Sequence, residues 1–322
     1  MSSEKFAVGV DLGGSKIQAA VVDETGKVLN MVRRVTDTQN GSSAVIRQII
    51  ELVRQLCAEH ANSPMGVGVG VAGQVAAETG VVHFAPNLGW RQVPLQANLS
   101  EALGMYVRVD NDVRMATWGE WLFGAGRGCN DLICIFVGTG IGGGIVSGGR
   151  ILTGNSNTAG EIGHIIIDLH GPACTCGSHG CMEAVAGGWA IARKAQAAAT
   201  THPLVGAAML RLSGNRISEI TAEVVAQAYR QKDPLAIRIM SGAVEALVGG
   251  TVAMIHMCNP ARIIMGGGII EGLPELIGQI EPGVRKRALS AATAQLQVRQ
   301  AELGDTAGVI GAAAMVIKTV DP

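Results

Sequence analysis

The sequence predicts an α/β protein of two domains. Length is the first ground: 322 residues exceed the size at which a single hydrophobic core usually stops growing. The second is alternation, since short β-like runs with glycine turns trade places along the chain with stretches of helical period. The third is an internal echo, in which Gly14-Ser15, Ile17 and Val21-Val22 answer to Gly138-Thr139, Ile141 and Ile145-Val146 at one constant offset. A true repeat there gives duplicated domains facing one cleft.

Residues 6–10 (FAVGV) and 17–22 (IQAAVV) read as strands parted by Gly13 and Gly14, with the polar turn DETGK after them. Residues 44–60 place apolar side chains at Val45, Ile46, Ile49, Ile50, Leu52, Val53 and Leu56, the i, i+3, i+4, i+7 spacing of an amphipathic helix. VGVGVGVA, from 67 onward, is a buried strand whose alternate glycines admit another backbone. RVDND ends a further strand near Val109, and a helix runs on from about Val113. The second strand–turn–strand unit occupies 132–146. Helices are expected over 183–199, 221–231 and 234–257, ARIIMGGGI supplies the last strand, and GDTAGVIGAAAMVIK closes the chain as a small-residue helix. No Pro- or Ser-rich linker parts the halves, which points to a hinge through packed elements.

Composition removes several classes of function. A formal net charge of −1 leaves no basic field for nucleic acid. The N-terminal apolar run is cut by Asp11, unlike the h-region of a secretion signal. The most apolar stretch, GAVEALVGGTVAMIHMC, carries Glu245 and His256 and is short for a membrane span. A cytoplasmic setting is therefore expected, in which the seven cysteines stay free or bind metal. Forty-five glycines against four Phe, four Trp and two Tyr imply a core of small aliphatic side chains with many close backbone approaches.

The glycines gather where chemistry is possible. DLGGSK sets an acid at a strand end and small residues in the turn after it, so that backbone N–H groups can approach phosphate. Asp11 can order Mg²⁺ through water, and Ser15 or Lys16 can reach an anionic oxygen; an ordinary hairpin turn is the other reading. GTGIGG matches the dinucleotide fingerprint in form at Gly138, Gly140 and Gly143. A helix must follow that fingerprint, however, and further glycines with β-branched neighbours follow here, so a second phosphate-binding hairpin fits better. No Walker A pattern occurs.

His164, Cys174, Cys176 and Cys181 form a complete donor set for tetrahedral structural Zn²⁺, with His170 or His179 as alternative sources of the nitrogen. Glu161 and Glu183 flank the cluster, and carboxylates held there suit the hydroxyls of a sugar. Asn111 and Asp112 stand where a strand gives way to a helix. Asp112 is either an N-cap or a general base toward an attacking hydroxyl, and Asp110 competes for either role unless strand alternation turns it away.

DLGGSK, VGVAG, APNLGW, DND, GTGIGGG, EIGH and CTCGSHGCME, in this order, resemble the ROK family of sugar kinases and repressors, most closely its bacterial glucokinases. The resemblance implies the actin-like ATPase (ribonuclease H-like) fold, two α/β domains around a central cleft. It implies a small domain over 1–118 to which the helix 305–322 returns, and a large domain over 119–304 with the zinc loop. Asp11, Gly13, Gly14, Ser15 and Lys16 would form the first phosphate loop and Gly138, Thr139 and Gly140 the second, with Gly266, Gly267 and Gly268 passing the adenosine. Asn87, Asn111, Asp112, Glu161, His164 and Glu183 would hold the sugar, Asp112 acting as base. His164 would also join Cys174, Cys176 and Cys181 on zinc. The implied reaction is transfer of phosphate from ATP, with Mg²⁺, to glucose, or else to N-acetylglucosamine, N-acetylmannosamine or fructose. A homodimer or higher homo-oligomer is implied too. Ser15 stands where the family usually has Thr, and Gly73-Gln74 replaces a common Pro on the sugar side. Family repressors carry an N-terminal helix-turn-helix, for which a first strand beginning near Phe6 leaves no room, so a non-catalytic sugar sensor is the lesser expectation.

Overall fold

The computed structural model describes residues 5–320; positions 1–4 and 321–322 of the expected domain ranges lie outside them. Contacts divide the chain into two compact units, Met1–Gly128 with Ile151–Ala159 and Glu302–Pro322, and Cys129–Arg150 with Gly160–Ala301.

In unit 1 the strands β1 (Phe6–Leu12), β2 (Lys16–Asp23), β3 (Val28–Val35), β4 (Val67–Val71) and β8 (Val107–Asn111) form a sheet of order β3-β2-β1-β4-β8. The β1-β2 and β2-β3 pairs are antiparallel, and β1-β4 and β4-β8 are parallel. Alternation in β1 puts Phe6, Val8, Val10 and Leu12 on one face, where α1 (Gly41–Ala58) buries Val45, Ile49, Leu52, Val53 and Leu56 and α2 (Leu95–Leu103) buries Leu95 and Leu99. The other face is small. Ala7, Ala20 and Val22 meet Val309, Ala313 and Val316 of α12 (Ala307–Val320). A Cβ added at Gly9 would stand 1.8 Å from the Val309 carbonyl oxygen, and one at Gly68 1.9 Å from that of Ala312. The backbone expected over VGVGVGVA is therefore that of α12.

A three-stranded meander, β5 (Gln74–Val75), β6 (Val82–Ala85) and β7 (Trp90–Val93), completes the sheets of unit 1. Helix α3 (Asp112–Phe123) lies against α12, with Gly311 pressed on the Met115 carbonyl. At its far end the buried Glu120 carboxylate accepts from the amides of Ala125 (2.9 Å), Glu302 (3.1 Å) and Leu303 (2.7 Å). These bonds hold the segment after Phe123 and the return at Glu302 together within unit 1. The segment 151–159 belongs to unit 1 through Asn157, whose Nδ2 donates to the Val75 carbonyl at 2.9 Å and to Asp110 Oδ1 at 3.0 Å.

Unit 2 repeats the plan. Its sheet runs β11-β10-β9-β12-β13, from β9 (Leu132–Val137), β10 (Ile141–Ser147), β11 (Arg150–Ile151), β12 (Arg262–Gly266) and β13 (Gln297–Gln300). The hairpin β9-β10 is antiparallel, and β9-β12 and β12-β13 are parallel, as in unit 1. The internal echo is thus carried by a shared strand order. Its offset slips by one across the turn, because Leu12 faces Ile17 whereas Val137 faces Ile141.

Helices α4 (Met182–Ala186), α5 (Gly188–Thr201), α6 (Ala207–Leu212), α7 (Ala222–Arg230), α8 (Pro234–Cys258), α9 (Gly268–Gly272), α10 (Ile277–Arg287) and α11 (Ser290–Thr293) make up the rest. The helix expected over 183–199 is broken at Gly187, whose ψ of 152° is extended. Helix α8 starts at Asp233, which caps the Ala236 amide at 2.9 Å, and stops at Asn259 in the left-handed region. It is long and apolar enough to cross a membrane, but Ala243, Leu247, Met254 and Ile255 are buried with Ile133, Ile135 and Ile263 of the sheet. It is a core helix. ARIIMGGGI is not the last strand: β13 follows it at the sheet edge.

Candidate functional site

In unit 1 the first glycine turn is closed by Gly13 N–H on the Lys16 carbonyl at 3.0 Å and braced by Thr36, whose Oγ1 donates to the Gly13 carbonyl at 2.8 Å. Ser15 and Lys16 are exposed. Asp11 sits on the strand beneath, against Gly308 at the start of α12. Burial pushes its carboxyl up to about 6, against the opposing pull of the Lys16 charge. An acid that is costly to ionise where it stands is suited to a cation, which offsets that cost.

Asn87 belongs to the 3₁₀ turn Pro86–Leu88 and lies against Gly14, where an added Cβ would stand 2.6 Å from the Asn87 carbonyl oxygen. Asn111 ends β8. Its Oδ1 caps α3 by accepting the Arg114 amide at 3.0 Å, and its Nδ2 donates to the Gly73 carbonyl at 3.2 Å. Asn111 is therefore the N-cap, and Asp112 is the first residue of the helix. Asp110 is turned away and buried. It pairs with the buried Arg114, whose Nη1 also donates to Asn157 Oδ1 at 2.6 Å and whose Nη2 donates to the Asn157 carbonyl at 2.8 Å.

In unit 2 the second turn, Gly138 to Gly140, lies in a hairpin, as its glycines implied. It borders a cavity of about 670 Å³ whose wall includes Gly138, Thr139, Gly188, Trp189, Gly268 and Ile269. Gly266 ends β12, Gly267 turns at φ +84°, and Gly268 opens α9. The structure thus brings Gly268 to the second turn. Helices α5 and α7 add Gln196, Glu223, Gln227 and Arg230 to the wall. Sequence reasoning missed these four, because single polar residues on helix faces carry no local signal of a shared cavity.

His164 ends the 3₁₀ turn Ile162–His164, and one of its ring nitrogens falls within 4.8 Å of the Sγ atoms of Cys174, Cys176 and Cys181, which lie as close to one another. His170 and His179 are not members of this cluster. The Cys174–Ser178 turn, closed by Cys174 N–H on the Ser178 carbonyl at 2.8 Å, presents two thiols, and Cys181 precedes α4. Cys176 and Cys181 Sγ are 3.7 Å apart, as are Cys174 Sγ and His164 Nδ1. Those separations exceed a disulfide and match the roughly 3.5–3.8 Å edges of a tetrahedron with Zn–S of about 2.3 Å and Zn–N of about 2.0–2.1 Å. Burial and then the neighbouring Cys174 and Cys176 push the Cys181 thiol up to about 12, while a backbone hydrogen bond at Ser178 lowers that of Cys176. The donor set fits zinc.

Glu161 is exposed at the start of the same 3₁₀ turn. Glu183 lies in the first turn of α4 and faces the second glycine turn: its Oε2 accepts the Ile141 amide at 2.8 Å.

The ROK family model matches residues 7–319. The chain belongs to the ROK family. It is 35% identical over 310 residues to a glucokinase of Thermotoga maritima, covering 96% of each protein. A crystal structure of a ROK family glucokinase from Streptomyces griseus, in complex with glucose and AMPPNP, matches with a TM-score of 0.84 and 34% identity over 96% of this chain and 98% of that one. A xylose repressor of Caldicellulosiruptor bescii is 28% identical over 96% of this chain and 77% of its own length. ROK proteins thus include kinases and repressors among the relatives of this chain. Its fold is the actin-like ATPase fold of the ROK kinases, and its Cys/His cluster is consistent with their zinc site.

Proposed function

We propose that this ROK protein is an ATP-dependent glucokinase with Asp112 as general base. The observation that carries the reading is the place of Asp112, the first residue of α3 directly after the Asn111 cap at the end of β8, which is where the resemblance to the ROK kinases sets the base. Likeness to glucokinases of 35% and 34% identity over nearly the whole chain supports the choice of reaction.

By the family resemblance, Asn87, Asn111, Asp112, Glu161, His164 and Glu183 hold the sugar. Asp112 accepts the proton of the 6-hydroxyl as that oxygen attacks the γ-phosphorus and the bond to the bridging oxygen of ADP breaks. Gly13, Gly14, Ser15 and Lys16 hold phosphate oxygens from one turn, and Gly138, Thr139 and Gly140 from the other. Gly266, Gly267 and Gly268 pass the adenosine, which fills the cavity of unit 2. Asp11 would hold Mg²⁺, which would neutralise phosphate charge when bound. His164 gives Nδ1 to the Cys174 side and keeps Nε2 for a sugar hydroxyl. His164, Cys174, Cys176 and Cys181 would hold zinc, which with four protein donors would supply loop order rather than an activated water. The same reading places the protein in the cytoplasm as a homodimer or higher homo-oligomer.

ADP release measured across a sugar panel tests the proposal. Release with glucose above all other sugars is expected. Preference for N-acetylglucosamine, N-acetylmannosamine or fructose replaces glucose but keeps the kinase. No release with any sugar, together with sugar binding, supports the non-catalytic sensor to which the repressor likeness points.

A further inference from the structure

Ile141, the first residue of β10, joins three segments far apart in sequence. Its amide donates to Glu183 Oε2 at 2.8 Å. Its carbonyl oxygen lies 2.1 Å from where a Cβ at Gly163 would stand, so the 3₁₀ turn that bears His164 packs directly on it. The turn before it is closed by Gly138 N–H on the Gly140 carbonyl at 2.9 Å. The peptide between Gly140 and Ile141 is therefore fixed at both its oxygen and its nitrogen. The same Oε2 crowds Gly140, where an added Cβ would stand 2.4 Å from it.

The other oxygen of Glu183 accepts from Trp189 Nε1 at 3.3 Å and Thr175 Oγ1 at 3.5 Å. Thr175 lies between the metal-facing Cys174 and Cys176. Two backbone bonds complete the hold, Gly188 N–H on the Gly138 carbonyl at 3.0 Å and Trp189 N–H on the Thr139 carbonyl at 2.9 Å. An unbroken helix would commit those two amides to the carbonyls four residues earlier. The break at Gly187 releases them to the turn.

We propose that Glu183, beyond any contact with sugar, is a positioning residue for nucleotide. Its carboxylate fixes the Gly138–Ile141 turn in the shape that receives phosphate and ties that turn to the Cys174–Cys181 loop. The inference rests on the kinase reading in one respect, that this turn binds phosphate. Glutamine keeps the size of the side chain but offers one oxygen and one NH₂, so an N–H of Ile141 or Trp189 is left facing a donor.

The test is calorimetric binding of Mg²⁺–AMP-PNP to the zinc-loaded protein without sugar, in wild type, Glu183→Gln, Glu183→Ala, Gly140→Ala and Glu183→Ala/Gly140→Ala. Zinc content and hydrogen exchange at the Ile141 amide are read in parallel. Glu183→Gln should bind nucleotide about tenfold or more weakly, the scale of a lost hydrogen bond to a charged group, with faster exchange at Ile141 and full zinc. Gly140→Ala should weaken binding alone yet add almost nothing to Glu183→Ala, which clears the space for the methyl. Nucleotide affinity of Glu183→Gln within about twofold of wild type, with only sugar affinity lowered, overturns the proposal. So do additive losses in the double variant. If Glu183→Ala does not fold, the Ile141 exchange rate and nucleotide affinity of Glu183→Gln decide. Wild-type protein that binds no AMP-PNP, with or without sugar, overturns the kinase reading and this inference together, whereas tight binding indifferent to Glu183 overturns the inference alone.

Discussion

The two glycine turns occupy the same place in two sheets of the same strand order, yet acid is used in opposite ways around them. In unit 1 the acid is on the strand itself. Asp11 lies one residue before Leu12, is pushed up to about 6 by burial, and has in Lys16 a weaker opposing charge. In unit 2 the matching position is Phe136, and the acid comes from α4, where Glu183 accepts the Ile141 amide and bonds Trp189 and Thr175. One carboxylate is held at a cost that a cation would offset; the other is satisfied by the donors of Ile141, Trp189 and Thr175. Duplicated topology fixes where a turn stands, and the sequence beneath and beside it decides what the turn does.

The largest expected effect tests whether acids in unit 1 do chemistry while the unit 2 acid holds structure. Asp112→Asn should lower turnover by about 10²–10⁴ with AMP-PNP affinity retained, as read by steady-state ADP release and calorimetry. Normal turnover in the folded variant removes Asp112 as the base and with it the contrast.

Zinc removal addresses the other side. Chelation should lower the thermal midpoint sharply and loosen the 161–183 region in hydrogen exchange, since apparent structural-zinc energies of about 10–16 kcal/mol are known in zinc-finger peptides. Exchange in β1–β4 of unit 1 should change far less. A protein purified with under about half an equivalent of metal and unmoved by chelator counts against the site.

Asp11→Asn sharpens the contrast through pH. A carboxyl whose folded value is raised to about 6 from 3.8 contributes stability that is complete below the unfolded value and is lost as pH rises through the folded one. Wild type without Mg²⁺–nucleotide should therefore lose up to about 3 kcal/mol relative to Asp11→Asn between pH 4 and 7. Urea midpoints of the pair across that range read the difference, and the variant, more stable at neutral pH, should be the poorer kinase. Parallel pH profiles for the two proteins would place the titration elsewhere.

The smallest effect concerns the brace of the first turn. Thr36→Val removes the Oγ1 bond to the Gly13 carbonyl and should cost about 0.5–1.5 kcal/mol, with a modest rise in the KM for ATP and little change in that for glucose. Equal movement of both constants would show that Thr36 acts on the unit as a whole.

Much of the fold follows from local pattern. Helix α1 appears within a few residues of its expected span because its apolar stripe repeats at 3.6 and needs no partner to be seen. The β1-β2 and β9-β10 hairpins follow from glycine between β-branched runs. Strand β13, with the sequence QVRQ, offers no apolar alternation, since it pairs with β12 at a sheet edge and buries almost nothing. The meander and the break at Gly187 are equally silent: each exists through hydrogen bonds to residues remote in the chain.

The sequence by itself determined the donor chemistry, the two glycine turns and the family, because these depend on residue types at short spacings. Tertiary structure decided which histidine joins the thiols, that Asn111 caps and Asp110 pairs with Arg114 beside Asp112, and that Glu183 meets the Ile141 amide. The reason is physical. Periodicity and turn preference act over a few neighbouring residues, whereas the partner of a carboxylate is set by which distant backbone the packed sheets and helices bring within about 3 Å of it.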